Sequence, residues 1–476
     1  MAEYDLIVIG GGAAAFGAVT RAHDLGAQAL MINDGLPLGG TCVNVGCIPT
    51  KFLLEALKRY RLISRPPDGW LSSGAPSALD FAALMGAKDA LVEGLRARNY
   101  RDVLDALGNV TLLEDRARFV GPHEVELLRA RERVRCDRIV IATGARTNVP
   151  DVPGLRDRSV PFWTHREALM AREVPGSLLI WGAGPLAVEF AQIFARAGSR
   201  VTVLARGPRI LRREEPEMAL ELQRHLQQEG IEILTGVSVR GFERAADGKG
   251  VRARFRRKGR DQDEAREAEA LLLATGIRPN TDDLGLERAG IKTDERGFIV
   301  VDERQETSVK GVYAAGDVTG RRPLETVAAK QGYLAAHNAL TGEARTLDYD
   351  WVPHAVFTDP QLASVGWTEE RAIRELGACL CRTLPLDEVP KAHAAGDTRG
   401  LVKLVAHPET RKILGAHAVA VNAAEIIHVP TLAMRAGMTL DDLIDTVHVF
   451  PTYAEAWKIC AQTFDRDPKT MSCCVV

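Results

Sequence analysis

The sequence contains no apolar run of the roughly 18 residues a membrane-spanning helix needs, uninterrupted by a charge or glycine cluster. No membrane association is expected. Charge of a single sign is equally scarce: 61 Lys and Arg stand against 63 Asp and Glu, a net of -2, with no long block of either. That balance excludes a polyanion-binding surface and makes nucleic acid an unexpected partner. Hydrophobic residues at 46% and charged residues at 26% exclude a disordered chain. The apolar stretch LIVIGGGAAAFGAV follows MAEYD, which supplies no basic leader region, and its glycines suit a turn within folded structure. A cytoplasmic location is expected. Eight unevenly spaced cysteines in 476 residues do not make a secreted disulfide framework. In a reducing compartment, closely spaced cysteines point instead to catalysis or metals. The length suggests about three domains.

What is present begins with a repeat. Residues 5–34 read strand, glycine turn, helix, strand, and the turn is Gly10-x-Gly12-x-x-Ala15. Small residues there let the backbone approach a pyrophosphate at the positive end of the following helix. Asp34 is the candidate acid for a ribose hydroxyl, with Asn33 as the alternative if the loop holds one more residue. The pattern returns at 178–206 with Gly182-x-Gly184-x-x-Ala187, so two dinucleotide sites and two cofactors are expected. At the second strand end Ala205 and Arg206 replace the acid, followed by Arg209, Arg212 and Arg213. Arginine pairs with a 2′-phosphate that an acid would repel, which favours NADPH over NADH. The alternative is a solvated basic loop.

Apolar strands end in Ala-Thr-Gly at IVIATGA (139–145) and LLLATGIRPN (271–280), and GVYAAGDVTG (311–320) ends in Asp317, suited to a ribityl or pyrophosphate group. With GGTCVNVGCIPTK at 39–51, this array resembles the FAD-dependent pyridine nucleotide-disulfide oxidoreductases over essentially the whole chain. The resemblance implies an α/β fold of two Rossmann-like dinucleotide-binding domains, for FAD and NADPH, plus a C-terminal α+β dimerisation domain. The expected boundaries are 1–150 and 277–346 for the two parts of the FAD domain, 151–276 for the NADPH domain and 347–476 for the dimerisation domain. FAD contacts are implied at Gly10, Gly12, Ala13, Ala14, Ala15, Asp34, Gly40, Thr41, Lys51, Ala117, Gly144 and Asp317. Those implied for NADPH lie at Gly182, Gly184, Ala187, Arg206 and Arg212, with Gly276 a further cofactor position.

Cys42 and Cys47 admit three physical readings. Zinc needs about four ligands, and no matching Cys or His pair accompanies these two. A structural staple does not suit a reducing cytosol. A redox couple needs a thiolate in a positive field, and Pro49 followed by TKFLLEALKRY reads as a helix start whose dipole lowers a neighbouring thiol pKa. The resemblance assigns Cys42 as the exchange thiol and Cys47 as the thiolate against the flavin, and it pairs Lys51 with Glu189, for which an ordinary salt bridge is the alternative. Cys136, Cys379, Cys381 and Cys460 have no motif partner and read as buried or incidental.

Relatives that reduce organic disulfides carry His-x-His-Pro-Thr-x-x-Glu near the C-terminus, where this chain reads HVFPTYAE at 448–455. Phe450 stands at the proton-transferring position, although Pro451, Thr452 and Glu455 keep register. A phenyl ring neither accepts nor donates that proton, and His448 substitutes only if the loop shifts. The chain ends KTMSCCVV. Adjacent Cys473 and Cys474 close a disulfide on each other only with strain and suit a soft metal ion better. A frayed end or a lipidated cysteine are the alternatives, the latter without a polybasic stretch or a usual terminal residue.

AQTFDRDPKTMSCC, with PFWTHREAL (161–169), AVFTDPQLASVGWTE (355–369) and LDEVPKAHAAGDTRG (386–400), is similar to the mercuric reductase branch of the same family. This implies a homodimer sharing its active site between subunits. Cys473 and Cys474 of one subunit would deliver thiol-bound Hg(II) to Cys42 and Cys47 of the other, with all four cysteines as metal ligands. The alternative is a reductase of the dihydrolipoamide dehydrogenase or glutathione reductase type. Two departures stand out: Phe162 and Phe450 match positions where tyrosine is common, with Tyr453 nearby, and with the flavin fold expected to start at Tyr4 the branch's extra metal-carrying domain is not expected.

Overall fold

The computed structural model describes residues 4–64, 78–246 and 248–467. They fall into two compact units, one of Met1–Phe52, Ala83–Asn148 and Gly276–Tyr349, the other of Leu53–Ala82, Val149–Thr275 and Asp350–Val476.

The first unit is built on a parallel sheet in the order Val312–Ala314, Ile139–Ile141, Leu6–Ile9, Ala29–Ile32, Val110–Leu113. LIVI, ALMI and IVI are buried at every position, as strands covered on both faces must be. Leu6 and Val8 face the helices Ala13–Asp24 and Glu325–Thr341. Ile7 and Ile9 face an antiparallel sheet of Ala117–Gly121, Glu124–Leu127 and Glu132–Arg135. The two helices meet backbone to backbone, since a Cβ on Gly17 or Gly332 would overlap the carbonyl oxygen of Ala329 or Ala14. Strand order reverses at Leu6–Ile9, where such sheets open a ligand crevice beyond their carboxyl ends.

The second unit repeats this plan. Its parallel sheet runs Glu232–Leu234, Arg200–Leu204, Ser177–Trp181, Ala270–Leu273, with the helix Pro185–Ala197 behind the second glycine turn. An antiparallel sheet of Val237–Arg244, Val251–Arg257 and Glu264–Ala268 covers the opposite face through Phe242, Val251 and Phe255. After it comes a five-stranded antiparallel sheet in the order His354–Val356, Gln361–Gly366, Ile413–Ala420, Leu401–Ala406, Leu380–Pro385. The helix Ala456–Gln462 packs on it, and fully buried Trp457 donates its indole N–H to the Ile426 carbonyl at 2.9 Å. The architecture is therefore the expected one, two Rossmann-like folds and a C-terminal α+β layer. Among the described residues no helix is long and apolar enough to cross a membrane.

Within the second unit, the segment opening the helix Pro216–Gln228 ties the nucleotide fold to the C-terminal sheet. Glu214 accepts hydrogen bonds from His354 Nε2 at 2.9 Å and Ser364 Oγ at 3.0 Å. Lys403 Nζ donates to Glu215 at 2.9 Å, Glu217 at 3.3 Å and Glu369 at 2.5 Å.

Candidate functional site: two glycine turns and a thiol pair

The two glycine turns share one backbone solution. Gly10 has φ +134° and Gly182 φ +133°, and a Cβ on either would overlap a carbonyl oxygen, that of Ala142 in the first case and Ala274 in the second. Those alanines open the two Ala-Thr-Gly motifs, so each motif is the backbone wall of its glycine turn. The helices then begin at Ala13 and Pro185 with Gly12 and Gly184 as N-caps, and neither cap offers a side-chain acceptor. Their first-turn N–H groups stay available to an anion. Ala14, Ala15 and Ala187 are buried in these helices, which keeps the backbone close to whatever occupies the turn.

In the first unit, Gly40 (φ +59°) lies over the turn, where its Cβ would come 2.7 Å from the Gly12 Cα. Thr41 follows it in the helix Gly40–Val45. Asp317 opens the short turn Asp317–Thr319, and its carboxylate has no hydrogen-bond or ion-pair partner among the described residues. Burial pushes its pKa up. An unpartnered carboxylate beside an uncapped helix end suits a hydroxyl-rich chain joined to a pyrophosphate, so these residues fit FAD. Asn33, directly after the strand Ala29–Ile32, packs against Gly11 and donates Nδ2–H to the Leu36 carbonyl at 3.1 Å. Asp34 is exposed and pairs with Arg129. Of the two alternatives, Asn33 is the one that lies against the glycine turn, while Asp34 pairs with Arg129 beside it. Ala117 is buried in a strand whose backbone pairs with Leu127, and Gly144 (φ +68°) and Gly276 (φ +100°) flank the paired strands Ala145–Thr147 and Ile277–Pro279.

At the second turn, Arg206, Arg212 and Arg213 are exposed and carry no ion pair among the described residues. Arg209 instead turns inward, donating to the carbonyls of Arg212 and Glu214 at 3.3 Å each. The three outward guanidiniums fit the phosphate that distinguishes NADPH.

Cys42, buried in Gly40–Val45, and Cys47, first residue of the helix Cys47–Ser64, are free thiols. The turn between them is tight, because a Cβ on Gly46 would come 2.9 Å from the Thr41 carbonyl oxygen, and Thr50 Oγ1 donates to the Gly46 carbonyl at 2.8 Å. One ligand atom each from Cys42, Cys47 and Glu325 lies within 4.8 Å of the other two. The hydrogen bond to Cys47, burial and the Glu325 carboxylate together push the Cys42 pKa up. The same hydrogen bond, with help from the Lys51 charge, holds Cys47 below the usual thiol range against burial. The two shifts run in opposite directions and favour the proton on Cys42 over Cys47.

Two residues of this site carry no sequence motif. Glu325 opens the helix Glu325–Thr341, and Tyr100 sits in the π-turn Ala97–Arg101, donating its hydroxyl to Glu325 at 3.5 Å. Burial and the Glu325 charge push the Tyr100 pKa up, so the phenol stays protonated. Its ring packs edge-on against Phe16 at 4.9 Å, which fixes it beside the thiols. A π-turn at a functional site is a recurrent feature, but nothing in the local sequence announces it.

The remaining candidates are placed as follows. Lys51 donates to Thr50 at 3.4 Å, and Glu189, buried in Pro185–Ala197, accepts the Phe357 backbone N–H at 2.9 Å. Phe162 packs against the core of the second nucleotide fold. Phe450 is about half exposed, and His448 donates Nδ1–H to the Thr446 carbonyl at 2.9 Å. Glu455 keeps a buried Oε2 with no partner among the described residues, and burial pushes its pKa up. Tyr453 is a buried core residue whose hydroxyl donates to the Asp397 carbonyl at 3.2 Å. Cys473 and Cys474 lie outside the described residues. Cys136 and Cys460 are buried. Cys379 and Cys381 are not incidental, because they are paired with each other in a disulfide.

The family model for pyridine nucleotide-disulphide oxidoreductases matches residues 4–332, and the dimerisation domain of the same family matches 352–461. A mercuric reductase of Streptomyces lividans is 42% identical over 477 residues, covering 99% of this chain and 98% of that protein. One of Staphylococcus aureus is 37% identical over 472 residues, covering 99% of this chain and 84% of that protein. Among solved structures, the Cu(II) complex of the HOCl-induced flavoprotein disulfide reductase RclA from Escherichia coli is 31% identical, covers 97% of this chain and 100% of that one, and has a TM-score of 0.84. At such identity over the whole chain, the protein belongs to the pyridine nucleotide-disulphide oxidoreductase family, in its mercuric reductase branch, and its cofactors are FAD and NADPH.

Proposed function

We propose that this oxidoreductase uses NADPH to reduce thiol-bound Hg(II) to Hg(0) at Cys42 and Cys47, working as a homodimer whose tail cysteines, Cys473 and Cys474, hand the ion to the opposite subunit. The observation that carries this reading is the cluster of Cys42, Cys47 and Glu325, three donor atoms within 4.8 Å. Two sulfurs are the ligands a soft ion prefers, and a carboxylate adds negative charge beside them.

FAD, when bound, supplies the two-electron relay between the nicotinamide and the thiol pair. The chain's own residues do the rest. Gly10, Gly12, Gly40, Thr41 and Asp317 would hold the flavin nucleotide, with Asn33 or Asp34 at hand for its ribose. Gly182, Gly184, Arg206 and Arg212 hold NADPH. Lys51 keeps positive charge near the Cys47 sulfur. When the Cys42 sulfur bonds the incoming ion and a thiolate leaves it, Cys42 gives up its proton, with Glu325 at hand to accept it and pass it to the departing thiolate.

Phe450 separates this reading from reduction of an organic disulfide. Without a histidine there, a leaving thiolate has no proton donor, and the unpartnered Glu455 carboxylate has nothing to orient. The test compares NADPH consumption with Hg(II) in excess small thiol against glutathione disulfide and lipoamide. Turnover is expected with Hg(II), with the organic disulfides slower by about a hundredfold or more. Fast turnover of either disulfide and none with Hg(II) would reverse the assignment. The Cys473→Ala/Cys474→Ala variant is expected to lose turnover of thiol-bound Hg(II) while its flavin is still reduced by NADPH. Equal turnover would remove the tail from the mechanism.

A further inference from the structure

We propose that Cys379, Cys381 and Glu369 form a second binding site for a thiophilic metal ion, separate in sequence from the redox pair and from the C-terminal cysteines. The three donors, all half-buried, bring one ligand atom each to within 4.8 Å of the others. The two sulfurs are joined in the disulfide, and Glu369 meets them from a separate element. Cys381 lies on Leu380–Pro385, the edge strand of the C-terminal sheet, and Cys379 stands just before it, so the period of two turns both sulfurs to one face. Leu380, between them, turns the other way and packs against the hydrophobic core. Glu369 reaches the same face from the first turn of the helix Glu369–Leu376, which ends at Gly377 with φ +78° and leads directly into Cys379. The two cysteine Cα atoms are 6.0 Å apart.

The surroundings favour a cation. Thr383, on the same face as Cys381, is opposite Lys403 in the sheet. Among the described residues Lys403 is the one cation ion-paired with Glu215, Glu217 and Glu369, so three carboxylates share its single positive charge. Glu369 bonds Lys403 through Oε2, and its Oε1 accepts no hydrogen bond among the described residues. Two sulfurs with one spare carboxylate oxygen select a soft ion over magnesium or calcium, which require oxygen ligands throughout.

The chemistry balances without electron transfer to the metal. Two equivalents of a small thiol RSH open the Cys379–Cys381 disulfide, giving two cysteine thiols and RSSR. The dithiol then displaces both thiols from Hg(SR)2, forming two Cys–S–Hg bonds and releasing two RSH. The ion stays Hg(II), so binding here is read without turnover and does not depend on whether the protein reduces mercury.

The test uses full-length, FAD-loaded protein, reduced with excess small thiol, desalted without oxygen and titrated with Hg(II) as its bis-thiol complex. Retained mercury is counted per chain after a second desalting against a competing monothiol. Cys379→Ser/Cys381→Ser is expected to hold one ion fewer than the parent, and Glu369→Gln to need roughly tenfold less competitor to lose that ion. Equal retention by the parent and the double variant would overturn the proposal. So would failure of small thiols to free two additional titratable thiols in the parent. Should the double variant not fold, Cys379→Ser alone, outside the strand, must show the same loss of one ion, and full retention by it would equally overturn the site.

Discussion

The thiol pair is set first by its own hydrogen bond and by burial, and Glu325 adds a negative charge felt by both sulfurs. It raises the pKa of both Cys42 and Cys47, while Lys51 lowers that of Cys47. Removing the negative charge must therefore move thiol ionisation downward. Glu325→Gln is expected to shift the pH profile of iodoacetamide labelling to lower pH by roughly one unit. An unmoved profile would mean that the carboxylate is not felt by the sulfurs. Phe450 permits the converse experiment. Phe450→His places an imidazole two residues after His448 in the loop leading to the unpartnered Glu455, and turnover of an organic disulfide is expected to rise by roughly a hundredfold. At this scale the sequence was readable where the chemistry is compressed into neighbours: two cysteines five positions apart beside a glycine pair announce themselves. Glu325 and Tyr100 do not, because they come from 225 residues apart and meet only through tertiary packing. Asn33 against Asp34 was undecidable from sequence, since the choice turns on the single position at which a strand ends.

The elements repay attention as a pair. Two strand–turn–helix units with nearly equal φ at Gly10 and Gly182 are braced by the alanine carbonyl of two Ala-Thr-Gly motifs. A methyl group at either glycine meets both the carbonyl and a backbone conformation unfavourable to L-residues, together worth roughly 1–3 kcal/mol of strain. Gly10→Ala is expected to purify with reduced flavin per chain. Gly182→Ala is expected to keep its flavin and show a KM for NADPH raised about tenfold. Identical effects of the two substitutions on both cofactors would contradict the division of labour between the turns. These units were legible because a parallel sheet buried on both faces writes continuous apolar strands such as LIVI and ALMI. The antiparallel sheets covering their far sides were not foreseen, and neither was the Cys379–Cys381 pair. Recognising that pair required knowing that the edge strand begins at Leu380 and that both sulfurs share its face.

At the scale of the molecule, Lys403 joins the second nucleotide fold to the C-terminal sheet. Its side chain is 2% exposed, and bonds to Glu369 and Glu215 outweigh the penalty of burial and push its pKa up. Lys403→Met would leave the buried Glu215 carboxylate uncompensated, with an expected loss of about 3–5 kcal/mol seen as a lowered Tm. A change below about 1 kcal/mol would show the joint to be held by its apolar packing alone. Dimer function is tested by mixing. Cys42→Ala and Cys473→Ala/Cys474→Ala chains, each expected to be inactive with thiol-bound Hg(II), are expected to regain turnover when unfolded and refolded together, because under the proposed transfer between subunits a mixed dimer would combine one intact thiol pair with one intact tail. The most direct measurement counts products. NADPH gives up two electrons and Hg(II) accepts two, so the parent protein in excess thiol is expected to release one Hg(0) for each NADPH consumed, and the Cys42→Ala variant none. NADPH consumption that Hg(II) does not stimulate, or that proceeds without mercury vapour, would contradict the account.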